Sequence, residues 1–304
     1  MASIRAAGLT KAFGDLRAVN QIDLDLPEGG VAGFVGPNGA GKSTTIRMLL
    51  GLIRPTSGDG EVLGHPIDRR AAYLHRVGAL IEAPGFYPSL TGEANLQVFA
   101  RLGGHDRGRI AEVLDVVGLR EFGGDRYSNY SLGMKQRLGI ALALLPDPDL
   151  LILDEPTNGL DPQGIVEIRS LLMQLGASGK TVFVSSHLLA EIQAACDAIV
   201  MIDHGGVVFA GSMADLLARN SPTIRAAAHD VADTARLIEL AADAGYPAAR
   251  VNGAVEIVAP AHFTAELNRL AWQAGITLGE LQATSADLEQ AFFAMTGDTK
   301  KGVS

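Results

Sequence analysis

Residues 36–43, which read GPNGAGKS, constrain the fold of this chain more than any other segment. The apolar run 31–35 before them predicts a buried strand, and residues 42–52 predict a helix after them. A phosphate-binding loop requires this strand–loop–helix context. Its glycines let backbone N–H groups turn inward around a polyphosphate, and the helix N-terminus adds partial positive charge. The alternative is a chance glycine-rich turn, which the flanking strand and helix disfavour.

The residue types in this loop predict a site for ATP and Mg²⁺. We expect the Lys42 ammonium to contact the β- and γ-phosphates and the Ser43 hydroxyl to bind Mg²⁺. The candidate nucleotide-binding residues of the loop are Gly36, Asn38, Gly39, Gly41, Lys42, Ser43 and Thr44.

A second apolar run, 150–153, ends in the carboxylates Asp154 and Glu155. Sheets with parallel strands place ligands at the carboxyl ends of those strands. We expect Asp154 to hold Mg²⁺, directly or through water, and Glu155 to polarise the attacking water. An acidic pair after a strand is a weak signal alone, but it becomes strong when it follows a phosphate loop.

The remaining pattern of residues 1–220 predicts an α/β domain. A further buried strand is expected at 181–185, with helices at 165–175 and 188–195, and two strands around His204 within 198–210. Fully apolar strands separated by helices indicate a mainly parallel sheet that is covered on both faces.

After residue 220 the pattern changes, and residues 221–304 predict a small α+β domain. The expected order is a strand at 223–227, a helix at 231–244, strands at 249–251 and 254–258, a helix at 262–274 and a strand at 276–283. This order resembles a split βαβ unit. A last helix from about Ala286 carries Leu288, Ala291, Phe292 and Met295 on one face. We expect this face to dock on the domain's own sheet; the alternative is a partner-binding face.

Charge and hydropathy disfavour two classes of protein, nucleic-acid-coating proteins and integral membrane proteins. The formal net charge is −9 and the pI is about 5.3, which disfavours a protein that coats nucleic acid. The mean hydropathy is +0.19, yet no apolar run approaches the roughly 18 residues that cross a bilayer. The N-terminal residues also lack the apolar core of a signal peptide. We therefore expect a cytosolic chain that meets the membrane through a partner.

Residues 130–137, YSLGMKQR, lead into another apolar helix. Ser131 and Gly133 offer a hydroxyl and a free backbone N–H at the helix N-terminus, an anion-binding arrangement. The phosphate loop, the acidic pair and this segment together resemble the ATP-binding-cassette family over residues 1 to about 220. The family's usual signature at this point is Leu-Ser-Gly-Gly-Gln, from which this chain departs at Tyr130, Leu132 and Met134.

The resemblance implies roles for further residues. Residues 158–162, NGLDP, resemble the family's loop that crosses a dimer interface. His187 resembles the switch histidine that contacts the γ-phosphate, and Phe13 occupies the place of an aromatic that stacks on adenine. Judged without the family, His187 is more often a structural histidine and Phe13 a core residue. The family also implies that Ser131 and Gly133 of a second copy close over the γ-phosphate.

Glu82 stands where the family usually has glutamine. In the family that glutamine approaches Mg²⁺ and the attacking water, so the resemblance implies a catalytic and metal-binding role for Glu82. The alternative is an ordinary exposed loop carboxylate.

Within the family, three segments are similar to ATPases of ABC-2 exporters such as the bacitracin and daunorubicin resistance pumps: residues 81–96, 130–137 and 287–297. This resemblance implies a homodimer, or a heterodimer with a paralogue, peripheral at the cytoplasmic face of the plasma membrane. Its partner would be a separate integral membrane permease of the ABC-2 type, with no nucleic acid involved. The alternatives are an importer ATPase, which shares every motif, and a non-hydrolytic ATP-binding regulator, which Glu155 and His187 argue against.

Overall fold

The computed structural model describes residues 2–81, 85–219, 222–284 and 288–296. The chain forms two compact units, Met1–Met213 and Ala214–Ser304. The boundary predicted between residues 220 and 221 falls on residues outside the described ones and stays a prediction.

The first unit combines long antiparallel strands with short buried ones. Its strands are β1 (Ala2–Phe13), β2 (Leu16–Pro27), β3 (Gly30–Val35), β4 (Ser57–Val62), β5 (His65–Pro66), β6 (Val77–Leu80), β7 (Leu150–Asp154), β8 (Thr181–Ser186), β9 (Ala198–Asp203) and β10 (Gly206–Ser212). Its helices are α1 (Lys42–Leu49), α2 (Gly92–Gly103), α3 (Arg109–Val116), α4 (Leu132–Leu144), α5 (Pro162–Ala177) and α6 (Leu189–Ala195), and α7 (Met213–Arg219) begins at its last residue.

The central sheet has six strands in the order β10-β9-β3-β8-β7-β6. Strands β9, β3, β8, β7 and β6 are parallel to one another, and the edge strand β10 is antiparallel to β9. Every residue of β8 is buried. Because successive side chains of a strand point to opposite faces, this burial means that the sheet is covered on both faces, as the apolar runs predicted.

A second sheet, in the order β2-β1-β4-β5, is antiparallel and was not predicted. The signal was present in residues 22–26, which read IDLDL and alternate between buried and exposed positions in β2. This alternation is typical of a strand with one solvated face. The sheet's buried side chains, with those of α1, join the same apolar cluster as Phe34 and Ile152 of the central sheet.

Several predicted helix boundaries differ from the structure by one to three residues, and two of the differences have a local reason. Helix α1 ends at Leu49 instead of residue 52, because Gly51 adopts a φ of +64°, a left-handed conformation that ends helices. Helix α5 begins at Pro162, earlier than the predicted residue 165. Its N-cap is Asp161, whose carboxylate accepts a hydrogen bond of 2.9 Å from the Gly164 N–H.

The second unit contains β11 (Thr223–Ala228), α8 (Thr234–Asp243), β12 (Ala248–Val251), β13 (Ala254–Val258), α9 (Phe263–Gln273) and β14 (Leu278–Thr284). Its sheet has the order β12-β13-β11-β14 with antiparallel neighbours. This is the predicted split βαβ order. The apolar side chains of α8 and α9 share a buried cluster with those of β11 and β13, including Ile224, Ile257 and Phe263.

Helix α10 (Leu288–Thr296) carries the predicted apolar face. Leu288, Ala291 and Phe292 are buried and Met295 is 37% exposed. Ala286, where the helix was predicted to begin, lies outside the described residues. The expected docking of this face on the domain's own sheet stays a prediction.

Through the described ranges, we find no helix whose length and apolar character together would suit a bilayer crossing.

Tyr73 is fully buried in the core of the first unit. Its hydroxyl donates a hydrogen bond of 2.7 Å to the Leu49 carbonyl at the end of α1. Burial raises the pKa of Tyr73 to about 12. The hydroxyl therefore fastens the end of the helix that carries Lys42.

Tyr73→Phe should destabilise the protein by about 1 kcal/mol at neutral pH, because one buried hydrogen bond is lost. Since the folded-state pKa is raised, the stability that the neutral phenol supplies is complete below the ordinary pKa of 10 and is lost as the pH rises towards 12. The wild type should therefore lose more stability than the variant between pH 10 and 12. Urea unfolding at pH 7 and at pH 11 measures both effects. Tyr87→Phe, at a half-exposed tyrosine, is the control; equal stability of wild type and Tyr73→Phe would contradict the assignment.

Candidate active site

A cavity of about 360 Å³ opens where β3, β7 and β8 end. These strands are adjacent and parallel, so the residues that follow them meet at one edge of the sheet. The cavity is lined by Ala18, Asn38, Gly39, Gly41, Lys42, Ser43, Thr44, Glu155, Asn158 and His187. It thus brings together most of the residues that the sequence predicted.

The loop between β3 and α1 depends on glycine at two close approaches. A Cβ atom on Gly41 would lie 2.5 Å from the Ala18 carbonyl oxygen, and the residue has a φ of +104°. A Cβ atom on Gly36 would lie 2.3 Å from the Ile202 carbonyl oxygen. A side chain at either position would push the loop away from the strands behind it. Backbone N–H groups at the start of α1 can therefore face the cavity, as an anion site requires.

Lys42 is the buried cation of the cavity, with only 6% of its side chain exposed. Its Nζ donates hydrogen bonds to the carbonyl oxygens of Gly36, at 2.7 Å, and Pro37, at 3.3 Å. Nζ also lies 3.3 Å from Glu155 Oε1. A buried ammonium needs such partners, because an unpaired charge in the interior is costly. The Lys42 ammonium is therefore held between the loop carbonyls and the Glu155 carboxylate.

Glu155 and His187 form a pair across the ends of β7 and β8. His187 Nδ1 lies 2.7 Å from Glu155 Oε2, within hydrogen-bonding distance. Glu155 has a φ of +51°, unusual for a residue with a side chain. Its N–H bonds to Ser185 Oγ, at 3.0 Å, and lies 3.2 Å from the Ser185 carbonyl oxygen. The backbone strain is therefore balanced by contacts that aim the carboxylate at the cavity.

Ser185 is a site residue that the sequence analysis missed. Its hydroxyl donates to Asp154 Oδ1 and accepts from the Glu155 N–H, so it fixes both acidic residues. The only local signal was its position near the end of an apolar strand, two residues before His187. Ala18 and Asn158 also line the cavity without having been predicted as nucleotide-binding residues.

The hairpin between β9 and β10 supports the phosphate loop from outside the cavity. The Gly205 N–H donates to the Ala40 carbonyl at 3.1 Å, and the Gly205 carbonyl accepts from the Asn20 N–H at 2.8 Å. Gly205 therefore bridges the loop and strand β2. Nothing in the local sequence around residue 205 indicates this contact, because it joins segments distant along the chain.

Five of the predicted residues that the structure describes do not line the cavity: Gly36, Phe13, Ser131, Gly133 and Asp154. Gly36 contributes its carbonyl to Lys42. Phe13 is 51% exposed at the end of β1, and Lys11 Nζ lies 5.0 Å from the centre of its ring. Ser131 is the N-cap of α4, where its Oγ accepts from the Met134 N–H at 3.2 Å. Glu82 lies outside the described residues.

The donors suited to a divalent cation are Ser43, which lines the cavity, and Asp154 at the end of β7. Over residues 2–81, 85–219, 222–284 and 288–296, no group of three or more histidine, cysteine, aspartate or glutamate side chains is arranged to hold a metal. Mg²⁺ does not need such a cage, because it typically takes one or two protein ligands with phosphate oxygens and water. The donor set therefore fits Mg²⁺ delivered with a nucleotide.

Comparison with known proteins identifies the family. A family model described as ABC transporter matches residues 19–158. The bacitracin transport ATP-binding protein BcrA of Bacillus licheniformis is 38% identical over 303 residues, covering 97% of both chains. The lantibiotic transport ATP-binding protein SrtF of Streptococcus pyogenes is 40% identical over 205 residues, covering 67% of this chain and 89% of the relative.

Solved structures show the same fold. CbiO1 from Clostridium perfringens, part of the ABC transporter complex cbiONQ, has a TM-score of 0.65 and 27% identity, covering 71% of this chain and 91% of its own. The ATP-binding cassette MJ0796, a dimer bound to ADP and Pi, has a TM-score of 0.60 and 26% identity, and the match covers 69% of this chain and 98% of MJ0796. With a nucleotide-sized cavity built by the expected residues and a relative similar over nearly its whole length, this chain belongs to the ATP-binding proteins of the ABC transporter family.

Proposed function

We propose that the chain hydrolyses ATP to power the export of an antibiotic or similar molecule through a separate permease of the ABC-2 type. The observation that carries this proposal is the meeting of Lys42, Glu155 and His187 in one cavity at the phosphate loop. Positioning and electrostatic stabilisation are what phosphoryl transfer asks of a protein, and these three groups supply both.

The phosphate loop binds the nucleotide. The backbone N–H groups of residues 38–44 and the N-terminus of α1 meet the phosphate oxygens. Lys42, held by the carbonyls of Gly36 and Pro37, contacts the β- and γ-phosphates. Phe13 stacks on adenine, since its ring at the end of β1 is 51% exposed and can offer a face to a flat partner.

Ser43 and Asp154 would hold a Mg²⁺ ion, which would neutralise phosphate charge when it is bound. The Ser185 hydroxyl fixes the orientation of Asp154. Glu82 is proposed as a third contact, on the strength of the family resemblance alone.

Glu155 orients the attacking water, and His187 stabilises the transferring phosphoryl group. The bond between His187 Nδ1 and Glu155 Oε2 keeps both groups at the same side of the cavity. Because Glu155 lies only 3.3 Å from Lys42, its carboxylate reaches the region where the γ-phosphate binds.

The complete site needs a second copy of the chain or a paralogue. Ser131 and Gly133 lie at the N-terminus of α4 and do not line the cavity of their own chain. A helix N-terminus with a hydroxyl and a free N–H suits the γ-phosphate bound to a partner. The dimeric state of MJ0796 bound to ADP and Pi supports this arrangement.

The relatives named for bacitracin and lantibiotic transport support a role in the transport of such molecules. The protein would act at the cytoplasmic face of the membrane, bound to the permease. Co-expression with a candidate permease, followed by measurement of bacitracin accumulation in cells, tests export. Export is supported if cells with the wild-type protein accumulate less bacitracin and cells with Glu155→Gln do not show this decrease. Co-purification with a substrate-binding protein would instead favour an importer.

Glu155→Gln should bind ATP but hydrolyse it at least about a hundredfold more slowly, because the neutral amide no longer orients water. ATP should also trap the variant as a dimer. Phosphate release and size-exclusion chromatography with ATP measure the two effects. Glu112→Gln, at an exposed carboxylate on α3, is the control and should turn over normally. Wild-type turnover in Glu155→Gln would remove this residue from the catalytic role.

A site shared between two chains predicts complementation. Ser131→Arg and Glu155→Gln should each abolish turnover as homodimers. Mixing the two variants creates heterodimers with one doubly damaged site and one intact site, so activity should exceed that of either homodimer. ATPase assays of the mixture, with heterodimers demonstrated by differential tagging, provide the measurement. No recovery in proven heterodimers would refute the shared site.

Glu82→Gln should raise the Mg²⁺ concentration needed for half-maximal turnover, because a carboxylate binds this hard cation better than an amide does. One unit charge near a partly buried site is worth about 1–4 kcal/mol at intermediate dielectric. ATPase titration against Mg²⁺ at fixed ATP, with nucleotide binding measured alongside, reports the change. Better ATP affinity without a change in Mg²⁺ dependence would instead mean that Glu82 repels phosphate. Curves that superimpose on those of the wild type and of the loop control Glu121→Gln would place Glu82 outside the site.

A further inference from the structure

The side chain of Leu132, the first residue of α4, lies beside the loop that follows β7. This side chain is 53% exposed. A Cβ atom built on Gly159 would lie 3.3 Å from Leu132 Cδ2. Within the described part of the chain, that Cδ2 is the one heavy atom within 4 Å of this position, apart from the immediate chain neighbours of Gly159. Leu132 is therefore the residue that a side chain at position 159 would meet.

The loop on the other side of this contact is continuous with the cavity. Asn158 lines the cavity, and its N–H donates to the Glu155 carbonyl at 3.1 Å. A second tight turn closes where the Leu160 N–H donates to the Thr157 carbonyl at 3.2 Å. Because these hydrogen bonds restrain the backbone of the loop, a displacement of Gly159 also displaces Asn158 and Glu155.

Leu132 also adjoins the residue proposed to act on the nucleotide of the partner. Ser131 is the N-cap of α4 and immediately precedes it. Further along α4, Arg137 Nη2 lies 3.6 Å from Glu167 Oε2 on α5. Helices α4 and α5 are thus joined by an ion pair along their length and by Leu132 on Gly159 near their N-terminal ends.

We propose that Leu132 is a positioning residue that couples the two nucleotide sites of the dimer. It ties Ser131, which contacts the partner's nucleotide, to the loop that holds Asn158 and Glu155 at the chain's own nucleotide. The inference rests on the proposed shared site. Glycine, which the family signature usually has at this position, carries no side chain that could reach the loop.

A double-mutant cycle tests the contact, because independent sites give additive effects and touching residues do not. The four proteins are wild type, Leu132→Ala, Gly159→Ala and the double variant. Turnover, KM and the dissociation constant for a fluorescent ATP analogue are measured for each.

Leu132→Ala should lower kcat about fivefold while KM and the dissociation constant stay within about twofold, because the side chain acts after binding. Gly159→Ala should lower kcat by about tenfold or more, since its methyl group crowds Leu132 and its φ of +76° is unfavourable for alanine. In the double variant the crowding is gone, so kcat should exceed that of Gly159→Ala by about threefold or more.

Matched controls separate the contact from general damage. Gly179→Ala carries similar backbone strain at a φ of +92° but meets open space, and should keep kcat within about twofold of wild type. Leu102→Ala removes another exposed leucine, 77% accessible on α2, and should be equally neutral. Leu132→Met retains a long apolar side chain and should restore most of the turnover that Leu132→Ala loses.

Additive losses of kcat across the cycle, or equal losses in Leu132→Met and Leu132→Ala, would overturn the coupling. A KM that rises in step with the fall of kcat would do the same, because it would assign Leu132 to binding. If Gly159→Ala fails to fold, the comparison of Leu132→Met with Leu132→Ala still decides. Failure of the proposed shared site is seen separately, as absent recovery when Ser131→Arg and Glu155→Gln are mixed.

Discussion

The parallel pairing of β3, β8 and β7 is the constraint on which the cavity depends. Val35 pairs with Ser186 and Asp154 with Ser185, so the three strands end at nearly the same level. The phosphate loop, Glu155 and His187 follow directly and therefore start side by side. A slip of one residue would turn every side chain of a strand to the opposite face of the sheet. Burial of both faces makes such a slip costly, and this fixes the catalytic geometry.

Much of this centre could be predicted because its signals are local. The strands expected at 31–35, 150–153 and 181–185 differ from β3, β7 and β8 by one residue at an end. Each is a short apolar run, and each is followed by residues whose chemistry is visible in the sequence. The grouping of Lys42, Ser43, Glu155 and His187 in one cavity then followed from the rule that parallel strands place ligands at their carboxyl ends.

The parts that could not be predicted depend on contacts between distant segments. The antiparallel sheet of β1 and β2 was missed because its alternating pattern is diluted by polar and glycine residues in β1. The hydrogen bond from the Gly205 N–H to the Ala40 carbonyl has no local signal in the sequence, since the two residues lie far apart along the chain. Likewise, the departure at Leu132 could be seen in the sequence, but its neighbour Gly159 could not. The residue type at a position can be read from the sequence, whereas its neighbours in space can be identified only from the folded structure.

The Gly205 bridge has a consequence for how the chain can vary. The turn of residues 203–206 presents His204 to solvent, with 96% of its side chain exposed, while Gly205 is buried. Turns of this kind normally accept extra residues, affinity tags or inserted domains. Here the same turn fastens the backbone of the phosphate loop and of β2 at once. Lengthening it would move the loop without altering any residue that touches the nucleotide. A turn with an exposed side chain is thus closed to insertion by its backbone contacts alone.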